Sequence, residues 1–183
     1  PCIEATETFS GAGYPDCEAL LIVEVEGSLD EIDEQIDKIM VIAKSLDPTE
    51  LRRAKDEEQA NRIWLGRKSA FGAMGQIADY MCLDGTIPVN KLPYVLKCIG
   101  EMSKTYGLSV ANVFHAGDGN LHPLILYRYD IPEEVENAHL AGEEILSICV
   151  EYGGSLSGEH GIGLEKASWM DSLYSSEDLK NMI

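Results

Sequence analysis

The chain has 183 residues, 45% of them apolar, which is enough for one domain with a buried core. Its 14 basic and 32 acidic residues give a net charge of −18. That balance argues against binding to nucleic acid or to an anionic membrane, since both need a basic surface. We interpret the charge as a solubilising surface.

The cysteines, terminal residues and apolar runs describe the setting of the chain. Five widely spaced cysteines without a Cys-x-x-Cys pair predict reduced, mostly buried thiols in a reducing compartment, and hence a cytoplasmic location. No apolar run is long enough to predict a transmembrane helix, and no signal peptide is visible. The chain begins at Pro1 and stops at Ile183, just after a helix-start signal, so we expect a piece of a longer polypeptide.

The first half of the chain alternates strand and helix patterns. Ser28 and Glu31 have the spacing of a capping box, and Asp47-Pro48 ends the helix that follows them. In order, the patterns predict a strand over 19–27, a helix between Ser28 and Asp47, a short strand over 49–54, and a helix over about 55–77.

The second half adds a hairpin between two more helices. In order, the patterns predict an extended segment over 80–88, a helix capped by Asn90, strands over 108–116 and 121–129, a helix from Pro132 to about Tyr152, and an irregular loop over 153–166. GDGN joins the two strands. Single strands between helices predict an α+β fold, with a mostly antiparallel sheet and helices packed on one side, in one domain over 1–183.

Two of the four histidines flank the GDGN turn in FHAGDGNLHP. If the turn is centred between Asp118 and Gly119, His115 lies directly opposite His122, with Cβ atoms about 4.5–5.5 Å apart on one face of the sheet. Two imidazoles at that separation can share one metal ion. The alternative is a polar pair at the end of a sheet.

A third metal ligand is available in the loop GGSLSGEHGIG. It holds Glu159 and His160 side by side, so that one could bind the metal while the other faces a substrate. Histidine suits proton transfer near neutral pH. Three protein ligands would leave an open coordination position, as in catalytic metal sites. The alternative is a surface loop.

Arg67 shares a predicted helix face with Ile63 and Trp64. A guanidinium on an apolar face needs a partner, and either a substrate carboxylate or a buried salt bridge would serve. His139 falls within a predicted helix, where packing or a surface position explains it.

Four stretches together resemble one family: HAGDGNLHP, GGSLSGEHGIGLEK, IWLGRKSAFGA and YMCLDGTIP. They are similar to the C-terminal domain of FAD-linked oxidases of the vanillyl-alcohol oxidase superfamily. The closest resemblance is to the FAD-binding subunit of glycolate oxidase and to D-lactate and D-2-hydroxyglutarate dehydrogenases. The resemblance runs from about residue 15 to 183 and implies a ferredoxin-like-type cap domain around an antiparallel sheet.

The resemblance implies oxidation of a D-2-hydroxy acid to a 2-keto acid by hydride transfer to FAD. Carried over by motif, His115, His122 and Glu159 would hold a divalent metal, most often zinc, with manganese or iron as alternatives. His160 would be the catalytic base. Arg67 would bind the substrate carboxylate and Asn120 would line the site.

The resemblance also implies parts that the chain lacks. The family's N-terminal FAD-binding domain and its C-terminal tail, which ends near an Asn-Pro-Gly signature, have no counterpart here, so we expect this chain to be inactive alone. Partner subunits for electron transfer are implied, and they could place the protein at the periphery of a membrane.

Phe71, one turn after Arg67, favours a small apolar pocket for the substrate.

Two other hypotheses stay open at this point. A non-catalytic metal-binding or regulatory module could have kept the fold and lost the chemistry, and a free-standing gene of this length would favour it. A metal-dependent hydrolase could use a His-His-Glu site and its bound water, and ester or phosphate cleavage by the chain would favour that.

Overall fold

The structure is a computed structural model that describes residues 2–182. Pro1 and Ile183, on which the expectation of a longer polypeptide rests, lie outside the described residues. The helices are α1 (Cys2–Ser10), α2 (Leu29–Ser45), α3 (Glu57–Gly75), α4 (Leu92–Tyr106), α5 (Pro132–Glu151), α6 (Met170–Leu173) and α7 (Ser176–Asn181). The strands are β1 (Asp79–Cys82), β2 (Gly85–Thr86), β3 (Ser109–Asn112), β4 (Asn120–Leu121) and β5 (Pro123–Tyr127).

The described residues form two compact units, 2–73 and 74–182. The sequence predicted one domain. That stays a prediction, because compactness alone does not decide whether either unit folds independently. Within residues 2–182, no helix combines the length and the apolar character needed to span a bilayer.

The first unit confirms the predicted helices and corrects the predicted strands. Glu31 accepts a hydrogen bond from the backbone N–H of Ser28, as a capping box requires, and α2 begins at Leu29. The apolar residues that recur at helical spacing form the half-buried face of α2: Ile32, Ile36, Ile39, Met40 and Ala43. The strands predicted over 19–27 and 49–54 are wrong. Neither segment pairs with a strand in the part of the chain that the structure describes, and alternation without a partner makes no ladder.

The second unit is an α+β fold with small antiparallel sheets. β5 lies between β1 and β3, and β2 pairs with β4. Helices α4 and α5 pack on one face of these sheets. On that face Leu121 of β4 and Ile125 of β5 enter a core with Ile99 and Ile145. The predicted helix start at Asn90 is wrong. That residue lies in a short 3-10 turn ahead of α4, and the helix begins at Leu92.

The cysteines are free, as predicted, but they are less buried than predicted. Cys149 alone among the five is buried, and the others are half-buried. The last helix-start signal is confirmed, since Ser175 caps α7 and exchanges hydrogen bonds with Asp178.

Candidate metal centre

The hairpin places both predicted histidines on one face of the sheet, but not in the predicted register. Asn112 pairs with Pro123, and His115 forms a bridge with Asn120, so His115 does not lie opposite His122. The prediction was wrong by two residues. Since side chains alternate with a period of two, a slip of two preserves the face. The two rings are diagonal neighbours with centroids 5.6 Å apart.

The turn that joins these strands depends on Gly119. Its φ is +70°, and an added Cβ would lie 2.0 Å from the carbonyl oxygen of Ile87. We expect Gly119→Ala to lower the free energy of unfolding by about 2 kcal/mol or more, because both the left-handed backbone and the backbone clash are costly. Urea unfolding followed by circular dichroism measures this loss.

Gly117 in the same turn provides the matched control. It lies outside the positive-φ region, and an added Cβ there would meet no heavy atom within 4 Å. Gly117→Ala should therefore change the free energy of unfolding by less than about 1 kcal/mol. Equal losses in the two variants would contradict the role assigned to Gly119.

A second ladder brings Asp84 to the same site. Cys82 pairs with Leu124 and Gly85 pairs with Leu121, and this shared register places Asp84 opposite His122. Leu121 points into the core beneath α5, so its neighbour His122 points to the other face of the sheet. The side chains of Asp84 and His122 therefore meet on the face away from α4 and α5.

His122 is held in one tautomer. The residue is 2% exposed, and its Nδ1 lies 3.3 Å from the carbonyl oxygen of Leu83. A carbonyl only accepts, so Nδ1–H donates this hydrogen bond and the lone pair is on Nε2. Burial lowers the pKa of His122, and the Leu83 hydrogen bond and the nearby Glu159 charge offset this only in part. The imidazole is therefore neutral at pH 7, as metal binding requires.

Glu159 faces both histidines of the hairpin. Its Oε2 lies 3.4 Å from Nε2 of His122, and its Oε1 lies 3.7 Å from Nε2 of His115. The lone pair of a neutral His122 thus faces a carboxylate oxygen, which also only accepts, and this is an arrangement that a cation between the two groups would favour. Donor atoms that share a tetrahedral zinc at about 2.0–2.1 Å lie about 3.3 Å apart, so this donor set fits a divalent metal.

His160 completes the cluster from the same loop. Its ring stacks on His122, with centroids 5.0 Å apart and planes 15° from parallel. One ligand atom from each of Asp84, His122, Glu159 and His160 lies within 4.8 Å of the others. Cys82 forms a further such group with His122 and His160. The structure thus brings Glu159 and His160 to His122, whereas the predicted ligand His115 belongs to neither of these groups.

Asn120 is a buried amide beside this cluster. It is 4% exposed, and neither its Oδ1 nor its Nδ2 has a hydrogen-bond partner among the described residues. A buried amide left unpaired costs about 1–3 kcal/mol, so such a group indicates a position where a ligand can be bound. Gly158 is needed next to it, because a Cβ there would lie 2.6 Å from Asn120 Oδ1.

Asp84 is the residue that the sequence reasoning missed. It is fully buried, and it accepts hydrogen bonds from Ser157 and from the backbone N–H groups of Glu159 and His160. Burial alone would raise the pKa of its carboxyl, but these bonds and the charge of Lys166 hold that pKa well below its usual range. An Asp-Gly pair at the end of an otherwise apolar strand, CLDG, was the available signal.

Arg67 belongs to the first unit, whereas the other predicted site residues belong to the second. It is half-buried on α3, with Cζ 6.0 Å from the centroid of Phe71. Among residues 2–182 no carboxylate forms an ion pair with it, so the salt-bridge alternative is not observed there. His139, for which packing or a surface position was expected, lies exposed on α5.

The chain is similar in sequence to a known family and to several known proteins. A profile of the family described as FAD linked oxidases, C-terminal domain, matches residues 2–182. The chain is 48% identical over 179 residues to the glycolate oxidase subunit GlcD of Escherichia coli K12, covering 97% of this chain and 36% of that protein. It is 30% identical to GlcD of Bacillus subtilis, covering 100% and 39%.

A third relative is named as a D-lactate dehydrogenase and not as a glycolate oxidase subunit. The chain is 30% identical over 178 residues to the D-lactate dehydrogenase of Archaeoglobus fulgidus, covering 94% of this chain and 37% of that protein. The chain therefore spans little more than a third of the length of these relatives.

Proposed function

The chain belongs to the family of FAD linked oxidases, C-terminal domain, and from this membership we propose that it is the substrate- and metal-binding part of a flavin-dependent D-2-hydroxy acid dehydrogenase. The observation that carries the proposal is the convergence of His115, His122 and Glu159. The Glu159 carboxylate lies 3.4 Å from Nε2 of His122 and 3.7 Å from Nε2 of His115, and the hydrogen bond from His122 to Leu83 directs the Nε2 lone pair of His122 toward Glu159.

In this proposal the remaining residues divide the work on the substrate. A bound divalent ion supplies Lewis-acid polarisation of the substrate hydroxyl, and bound FAD supplies the acceptor for the hydride from C2. His160 takes the hydroxyl proton on an imidazole nitrogen as the C2–O bond becomes a carbonyl. Asn120 donates from its unpaired amide to a substrate oxygen. The product is the 2-keto acid.

The flavin and the electron acceptor lie outside this chain in the proposal. The relatives are about three times as long as the matched region, which leaves room in them for a FAD-binding domain. Those from E. coli and B. subtilis are named as subunits of glycolate oxidase, which supports partner subunits as the route by which the electrons leave.

Arg67 is proposed as the group that binds the substrate carboxylate. Its guanidinium has no ion-pair partner within the described part of the chain, and a carboxylate is bound bidentately by arginine but not by lysine. We expect Arg67→Lys to raise KM for the hydroxy acid about tenfold or more, with a smaller change in kcat. Steady-state kinetics measures both, with Lys68→Arg on the same helix as the control. An unchanged KM would remove Arg67 from the site.

The test of the proposed function is turnover by the protein in its full natural length, loaded with FAD. Glycolate, D-lactate and D-2-hydroxyglutarate are supplied in turn, with an artificial dye as electron acceptor. Dye reduction with at least one D-2-hydroxy acid, accompanied by formation of the 2-keto acid, is the expected result. No dye reduction with any of them, in a protein shown to hold both flavin and metal, would refute the proposal.

A further inference from the structure

The turn that presents Glu159 and His160 is built around the carboxylate of Asp84. The hydroxyl of Ser157 donates to Oδ2 at 2.6 Å. The backbone N–H groups of the next three residues also donate to Oδ2, from Gly158 and Glu159 at 3.1 Å and from His160 at 2.7 Å. Four consecutive residues of an irregular loop are thus tied to one oxygen atom.

A buried lysine supports this carboxylate. Nζ of Lys166 lies 3.5 Å from Oδ2, with side-chain exposures of 7% for Lys166 and 0% for Asp84. Five groups therefore donate to Oδ2 of one carboxyl, and they favour its ionised form, which carries no hydrogen and pairs with the charge of Lys166. An asparagine at this position has one accepting oxygen instead of two, so it would turn its NH2 group toward the N–H of Glu159 that donates to Oδ1, and it would lack the charge that pairs with Lys166.

The position of Asp84 links this loop to the sheet. Asp84 lies opposite His122 in the ladder, and its Oδ1 is 3.9 Å from Nδ1 of His122. From this anchor the loop places the Glu159 carboxylate beside Nε2 of His122, and it places the His160 ring flat against that imidazole. The segment has no regular secondary structure, so these hydrogen bonds replace the ladder that it lacks.

We propose that Asp84 is a positioning residue, which holds Glu159 and His160 in place around His122 before metal or substrate binds. This inference rests on the proposed function, in which Glu159 is a metal ligand and His160 is the base. Asp84 contacts neither metal nor substrate in this scheme and acts through the turn. Ser157 supports the same turn, because its hydroxyl donates to Asp84 and accepts a hydrogen bond from the N–H of Gly161.

The test compares Asp84→Asn with Asp118→Asn in the full-length protein. Asp118 lies exposed in the GDGN turn, so the control makes the same change close to the site. Zinc affinity is measured by competition with a chromophoric chelator. We expect Asp84→Asn to bind zinc about 10–100-fold more weakly, as when outer partners of metal ligands are removed, and the control to match the parent. Ser157→Ala, a milder change, should weaken binding up to about tenfold.

A second readout needs no metal. Amide hydrogen exchange of the metal-free protein should become faster at residues 158–160 in Asp84→Asn, and should be unchanged in α4 and α5. Zinc affinity and exchange rates equal to those of the parent would overturn the proposal. Exchange that accelerates equally in α4 and α5 would also overturn it, because Asp84 would then only stabilise the fold.

The same pair of readouts separates this proposal from the function it builds on. If the parent protein binds no zinc and exchange at residues 158–160 still accelerates selectively in Asp84→Asn, the positioning role stands and the metal assignment fails. If the parent binds zinc and Asp84→Asn binds it as tightly, with parental exchange, the metal assignment stands and the positioning role fails.

Discussion

A full-length protein carrying His122→Ala is expected to lose its divalent metal, from about one ion per chain to none after mild dialysis. In the proposed metal site His122 contributes the Nε2 lone pair of a buried ring, and its tautomer is held by the hydrogen bond to Leu83. Removing a direct ligand should cost more than the 10–100-fold in affinity typical of outer partners. Elemental analysis of parent and variant measures the metal content.

His139 offers the matched control for this experiment. It is an exposed histidine on α5, so His139→Ala makes the same chemical change away from the metal centre. The control should keep the metal content of the parent. A His122→Ala protein that still held one ion per chain would remove His122 from the ligand set, and with it the interpretation of the histidine hairpin as a metal site.

Replacement of His160 by glutamine is expected to lower kcat by about 10²–10⁴-fold, the contribution usual for a general base. Glutamine keeps a polar side chain of similar size but cannot take up the hydroxyl proton. The metal should remain bound, because this proposal assigns the ligand role to Glu159. Kinetics with the best 2-hydroxy acid, together with metal analysis, gives both quantities.

Glu159→Gln is compared with His160→Gln to separate the proposed ligand role of Glu159 from the proposed base role of His160. It should lose most of the metal, whereas His160→Gln should keep it. The distinction matters because both side chains belong to the group whose ligand atoms lie within 4.8 Å of one another. Loss of metal from His160→Gln, with retention in Glu159→Gln, would exchange the two assignments.

Local patterns determined most of the elements and the composition of the site. The spacing of apolar residues predicted α2, α3, α4 and α5, because a helix forms from contacts three and four residues apart. Alternation along a hairpin placed His115 and His122 on one face, and this survived a register error of two, since two is the period of a strand. The glycine-rich loop was correctly predicted to be irregular.

Tertiary structure alone decided how these pieces meet. The segment over 19–27 has the alternation of a strand but forms none, because a strand also needs a partner that its own residues do not specify. Asp84 lies 73 to 76 residues before the groups of the turn that it anchors. The tautomer of His122 depends on a carbonyl 39 residues away. Contacts between residues so far apart leave no periodic signal. The register of β1 against β5 and of β2 against β4 places Asp84 opposite His122, and the bridge between Thr86 and Ser155 brings the turn to Asp84.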